Sequence, residues 1–242
     1  MTETETRLYG QRNDMISPHA HFDNQYYTNI RGVVQIGMGG GSYEIDTWRK
    51  IFGIRYQIYI EAYPPYYESL ITKVESLRPI SHEEIRIFNY AMSNKNSIVD
   101  FYVNSVGDSH SLFKMDDKRP AQLKNMKEVG IVKIQARTLD SLIEQEKLDM
   151  TNYNLLFMDT QGSEHLIIQG AKSNMKYFDV VTAEIQHIPA YSGALLYDEF
   201  TEMMESLGFK LEQSNPNFVD NILVKYRKLD VIHPEQVLVI II

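Results

Sequence analysis

The spacing of apolar residues changes period several times along this chain, and each change marks an element. Val33, Val34 and Ile36 form a nearly unbroken β-branched run, as in a strand covered on both faces. Beyond the glycines that follow, Ile45, Trp48 and Phe52 recur at helical spacing, and Gly53 supplies a stop. "YQIYIEA" (Tyr56 to Ala62) reads as a second buried strand. In "PPYYESLITKVESL" the prolines suit a helix start, and Tyr67, Leu70, Ile71, Val74 and Leu77 share one face. "EIRIFNYAMS" reads as a third strand. Strands alternating with helices predict parallel pairing, with helices covering the sheet.

The second half continues the alternation after an irregular middle. "SIVDFYVN" looks like an added strand, and residues 104–130 have no clean period, which suits a loop over a site. After "GIVKIQARTLDSLI" comes "YNLLFMDTQGSEHLIIQGA", an apolar strand, a polar turn from Asp159 to Glu164 and a short helix. "FDVVTAEIQH" is a further strand. Leu196, Phe200, Met203, Met204 and Leu207 make one helical stripe closed by Gly208. "FKLEQS" and "NILVKY" are expected to close the sheet as an antiparallel pair. This order predicts one doubly wound α/β domain over residues 30–228, with ligand at the C-terminal ends of the strands. Residues 1–29, with the His- and Tyr-rich "ISPHAHFDNQYY", are expected to form an arm or a lid on the acceptor side. Residues 229–242 end in "VLVIII", too short to cross a bilayer and suited to a strand edge, a packing segment or a subunit contact.

Composition removes several function classes. A chain of 242 residues, 43% hydrophobic, buries one substantial core. Its formal net charge of -8, without a long basic run, argues against a nucleic-acid partner. The absence of cysteine excludes disulfides and thiolate metal sites. The polar "MTETETRLYGQRND" has no apolar signal core, so a cytoplasmic location without a membrane span is expected.

Candidate chemistry then falls at the strand ends. Gly37, Met38, Gly39, Gly41 and Ser42 belong to a glycine-rich loop between strand and helix, where bare backbone admits a ligand. Glu61 ends the next strand, where an acid hydrogen-bonds ribose hydroxyls. A dinucleotide fingerprint fits imperfectly, because its third glycine falls on Ser42, and there is no Walker pattern. S-adenosylmethionine has no phosphate and carries a cationic sulfonium, which suits an acidic pocket. Asp159 closes its strand. Glu164 is either a ligand-side group or a helix-dipole cap. Glu184 and His187 follow the next strand. His19, His21 and Asp23 make an H-x-H motif without the further ligands a metal barrel needs.

Taken together, "VVQIGMGGGS", "IYIEA", "FNYAMSNKNSIVDFYV", "ARTLDSLI", "LLFMDTQGSEHLIIQGA" and "VVTAEIQH" resemble, in that order, the FkbM-type methyltransferases. The resemblance covers roughly residues 30 to 226, and its most specific part is the D-x-x-G-x-E block followed by Gly-Ala. One departure is Gln35, where the family usually has an acid. The resemblance implies a Rossmann-like class I fold, with a doubly wound, mostly parallel seven-stranded sheet and a C-terminal antiparallel strand. It also implies an S-adenosylmethionine-dependent O-methyltransferase acting on a sugar or glycan hydroxyl. The cofactor is expected over Gly37, Met38, Gly39, Gly41 and Ser42, with Glu61 on the ribose. Ala62, Asn89, Ala91 and Met92 are expected around the adenine, and Asp159 near the reacting end. His187 is assigned as the base, positioned by Asp159 and Glu184. The same two acids would be the ligands of a divalent cation such as Mg²⁺ if one takes part. An NAD-dependent oxidoreductase and a non-catalytic Rossmann-like scaffold are the alternatives.

Overall fold

Val33, Val34 and Ile36 are almost wholly buried, so strand β1 (Gly32–Ile36) is covered on both faces, as its unbroken apolar run requires. The computed structural model describes residues 29–40, 43–78, 80–119, 121–216 and 221–229. The expected arm and the apolar tail, with His19, His21 and Asp23, lie outside the described residues apart from Asn29 and Leu229. The same holds for Gly41 and Ser42.

A four-residue helix, α1 (Tyr43–Asp46), runs into a π-helical turn at Thr47–Ile51 and leads to β2 (Tyr56–Ile60). Helix α2 (Pro64–Glu75) starts at its two prolines and precedes β3 (Glu84–Phe88). Next come β4 (Ala91–Met92), β5 (Ser97–Asn104), β6 (Glu128–Arg137), helix α3 (Leu139–Glu146) and β7 (Leu155–Met158). The chain continues with α4 (Glu164–Gly170), β8 (Val180–Gln186), α5 (Tyr197–Ser206), β9 (Phe209–Pro216) and β10 (Asn221–Lys228).

The main sheet has seven strands in the order β3-β2-β1-β7-β8-β10-β9. β3, β2, β1, β7 and β8 pair in parallel, and β10 is antiparallel to both β8 and β9. This is the expected doubly wound, mostly parallel α/β sheet with its antiparallel strand near the end of the chain. Alternation along each strand feeds two cores. Val34, Ile58, Leu156 and Val181 face α3, α4 and α5, while Val33, Tyr59, Leu155 and Phe157 meet Trp48 and Leu70 from the α1 and α2 side. Among the described residues no helix is long and apolar enough to cross a membrane.

The order in which strands are added along the sheet reverses at β1, which lies between β2 and β7. That is the switch point where such sheets bind ligands. Register then sets the rim. Ile36 is paired with both Ile60 and Met158, and Met158 with Ala183, so Gly37, Glu61, Asp159 and Glu184 follow at one level.

The expected third strand is broken in two. Asn89 turns its Nδ2 onto the carbonyls of Glu61 and Ala62, at 2.8 and 3.1 Å, and ties the ends of β2 and β3 together. Ala91 and Met92 then leave the main sheet and pair with β6, in a second sheet of order β4-β6-β5. Its inner face, with Phe101, Ile134 and Ala136, packs as a small core of its own. Its outer face leaves Ile98 and Ile131 exposed.

Candidate active site

A cleft opens at the switch point. Seven of the expected residues line it: Gly37, Gly39, Glu61, Ala62, Ala91, Met92 and Asp159. Met38 sends its side chain into the core on the α1 side, so only its backbone joins the site. Asn89 braces the strand ends from behind.

The glycines answer first to the chain's own backbone. Gly37 has φ +81°, and a Cβ there would lie 1.9 Å from the carbonyl oxygen of Asp159. Gly39 has φ +56°, and a Cβ there would stand 2.5 Å from Asp108 Oδ1. The N–H groups around them are occupied by carboxylates. Glu61 Oε2 accepts from Met38 and Gly39 at 2.8 and 3.1 Å, and its Oε1 accepts from the Tyr63 N–H at 2.8 Å. Asp108 Oδ1 accepts from the Gly40 N–H at 2.5 Å. Burial pushes the Glu61 carboxyl up to about 7, against the pull of the Tyr63, Met38 and Gly39 donors.

Gln35 lies outside this arrangement. It is buried on the α1 side of the sheet, where its Oε1 accepts from the indole N–H of Trp48 at 2.7 Å. A neutral side chain serves that contact without a charge.

At the other end of the cleft, Asp159 and Glu184 come together as expected. Gln161 Nε2 donates to Asp159 Oδ1 at 2.8 Å and to Glu184 Oε2 at 3.1 Å. Burial, and then the charge of Asp159, push the Glu184 carboxyl well above the usual range. Glu164 is a cap: its Oε1 accepts from the Thr160 N–H at 2.8 Å and from the Thr160 hydroxyl at 2.9 Å. Burial holds it at about 7, and the turn carrying Asp159 is fixed by it.

His187 does not join this cluster. It is exposed and lines no part of the cleft. It stands past the end of β8, which stops at Gln186, and the chain turns away there. Among the described residues no group of three or more His, Cys, Asp or Glu has the geometry to hold a cation.

The irregular stretch after β5 supplies what sequence reasoning missed. Asp108, His110 and Leu112 line the cleft, with Tyr66 from α2. His110 stacks on Tyr66, ring centroids 5.3 Å apart, and meets Tyr63 edge-on at 4.6 Å. Its Nδ1 accepts from the Asn104 N–H at 3.2 Å, and burial lowers its basicity, so the ring is neutral with Nε2 protonated. The segment is pinned to the stretch that follows β8. Asp116 N–H donates to the Ala190 carbonyl and Ser192 N–H to the Lys114 carbonyl, each at 2.8 Å, while Met115 pairs with Tyr191. The only signal in the sequence was the lack of period over 104–130.

Known proteins were compared with this chain. The family model of the methyltransferase FkbM domain matches residues 36–211. The 2-O-methyltransferase NoeI of Sinorhizobium fredii (strain NBRC 101917 / NGR234) is 24% identical over 162 residues, which is 64% of this chain and 64% of that protein. The chain therefore spans just under two thirds of the length of that relative. The structure of Methyltransferase FkbM from Methylobacillus flagellatus KT aligns with 84% of this chain and 50% of its own, at 14% identity and a TM-score of 0.49. That of M. capricolum TrmK, solved with S-adenosyl-homocysteine, aligns with 85% of this chain and 67% of its own, at 8% identity and a TM-score of 0.47.

Proposed function

The chain belongs to the FkbM methyltransferase family, and from that premise we propose that it is an S-adenosylmethionine-dependent O-methyltransferase acting on a sugar or glycan hydroxyl. One observation carries the choice of cofactor. The glycine-loop N–H groups of Met38, Gly39 and Gly40 are taken by the carboxylates of Glu61 and Asp108. A dinucleotide fold uses such donors, with the following helix N-terminus, for a pyrophosphate. Here the following helix is four residues long and carries Glu44 and Asp46. A phosphate would meet acids where it needs donors, which disfavours the nicotinamide alternative.

The residues fit S-adenosylmethionine by the chemistry of their groups. Three acids line the cleft, Glu61, Asp108 and Asp159, and no Lys or Arg is among its described lining residues, so a cation is favoured there. Ala62, Ala91, Met92, Phe101 and Leu112 make an apolar wall for a flat base. Glu61 retains lone pairs for ribose hydroxyls beside the three N–H groups it already accepts. When bound, the cofactor supplies a methyl group activated on a cationic sulfur.

The protein's own part in the transfer is alignment and proton removal. Asp159 is the acid at the cleft nearest the turn of α4, and it takes the proton of the acceptor hydroxyl. Glu184, buried behind it, keeps a proton and so leaves the negative charge on the side facing the cleft. His187, on the outside, has no part. The O-methyl assignment is supported by the relative whose name is 2-O-methyltransferase. The sugar acceptor follows from the family resemblance.

Calorimetry with S-adenosylmethionine, S-adenosylhomocysteine and NAD tests the cofactor. Binding of the first two and not of NAD is expected, and the reverse result ends this reading. A screen of nucleotide-sugars and oligosaccharides with labelled methyl donor tests the acceptor. Labelling confined to other acceptor classes removes the sugar assignment and keeps the methyltransferase. A protein that binds cofactor and labels nothing in any class is the scaffold alternative.

A further inference from the structure

Gln161 is neither an acid nor a base, yet four segments of the chain meet on it. Its backbone stands at φ +57°, a left-handed conformation that non-glycine residues adopt at a cost and keep only where the surroundings enforce it. The surroundings here are specific. An amide nitrogen has two hydrogens, and Gln161 Nε2 uses them on Asp159 Oδ1 and Glu184 Oε2, at 2.8 and 3.1 Å. Its Oε1 accepts from the Tyr191 hydroxyl at 3.1 Å, and its own carbonyl accepts from Ser111 Oγ at 2.8 Å. The opposite amide orientation would set its oxygen against the Asp159 carboxylate, whereas the Tyr191 hydroxyl, which also donates to the Ser109 carbonyl at 2.8 Å, accommodates either end.

We propose that Gln161 is a positioning residue that bridges Asp159 and Glu184 through its amide nitrogen and presents the Asp159 carboxylate to the acceptor hydroxyl. The inference rests on the reading of Asp159 as the base. Glu184 is buried and Asp159 half-buried at the cleft, and a neutral double donor between two adjoining carboxyls stabilises a charge on either. An acid at this position would add a third carboxyl, and an apolar side chain would let both carboxyls turn away.

Other titratable groups stand around the two carboxyls. Glu184 comes from β8, Glu164 from α4, Glu61 from β2, Asp108 and His110 from the segment after β5, and Tyr191 from the segment after β8. Of these, Asp108, Glu61 and His110 line the cleft with Asp159, and Glu164 holds the Thr160 that follows Asp159.

The test uses the near-isosteric variants Gln161→Met and Gln161→Glu, with two readouts. Infrared difference spectroscopy on the full chain without acceptor follows the protonated carboxyl band, assigned by its loss in Glu184→Gln. Turnover against pH is measured in parallel, with S-adenosylhomocysteine affinity by calorimetry. In both variants the carboxyl band is expected to titrate at higher pH than in the parent, because a donor to the ionised pair is gone. The acid limb of kcat moves the same way, kcat falls by about 10- to 100-fold, and cofactor affinity holds. A band that titrates as in the parent in both variants overturns the proposal. So does a fall in kcat with an unmoved acid limb, which marks a merely structural role. Failure of the parent to bind S-adenosylmethionine sinks the functional reading instead, while the infrared titration still judges Gln161.

Discussion

The carbonyl oxygen of Asp159 lies 1.9 Å from the place a Cβ on Gly37 would occupy, so the end of β1 and the end of β7 touch through a missing side chain. The backbone there is also left-handed, at φ +81°. Glycine is required by the neighbouring strand before any ligand arrives.

Gly37→Ala is therefore expected to weaken the fold as well as the site. Overlap with a backbone atom, added to the positive φ, costs about 1–3 kcal/mol. Chemical denaturation measures it. Unchanged stability would mean that β1 and β7 separate more easily than their shared register implies.

Cofactor binding is expected to release protons near neutrality. Glu61 is held up to about 7, so at about pH 6 much of it is protonated, whereas an acceptor for ribose hydroxyls that keeps its three N–H donors must be ionised. Calorimetry with S-adenosylhomocysteine in buffers of different ionisation heat gives the sign. Net proton uptake at that pH contradicts the role given to Glu61.

Asp159→Asn and His187→Ala separate the two candidate bases. The first keeps shape and removes the acid, so turnover should fall by about 10²-fold or more. The second changes an exposed side chain off the cleft and should leave turnover at the parent value. A large loss from His187→Ala, with Asp159→Asn active, would restore the histidine base expected from the sequence.

Stability should decrease from about pH 5.5 to about pH 8. Glu61, Glu164 and Glu184 are all raised above the ordinary 4.5, chiefly by burial. A raised acid binds its proton more tightly in the folded chain than in the unfolded one. Its contribution is therefore complete below the ordinary value and is lost as pH climbs through about 7. Self-repulsion of an acidic chain acts in the same direction. Thermal denaturation across the range reads the slope, and a rise in midpoint toward alkaline pH would contradict these burials.

The main sheet was legible in the sequence because its strands are buried on both faces and read as apolar runs such as Val33 to Ile36 and Leu155 to Met158. Residues that directly follow such runs, Gly37, Glu61, Asp159 and Glu184, lie at one level of the rim for the same reason. What escaped depends on partners far along the chain. Asn89 looks like part of a strand until its side chain finds the Glu61 and Ala62 carbonyls. Asp108 and His110 sit in a stretch with no period, and only folding brings them to Gly40 and Tyr66. His187 was misjudged because two residues near one strand end need not face the same way: Glu184 turns in toward Gln161, and His187 turns out.

The segment after β5 reaches Gly40 through Asp108, lines the cleft with His110 and Leu112, and pairs with Tyr191 through Met115. Under the proposed function, a single stretch of chain thus forms part of the wall of the cleft that takes cofactor and acceptor. An insertion or deletion within it retunes two specificities at once, so a new acceptor range arises most simply by point changes that preserve its length.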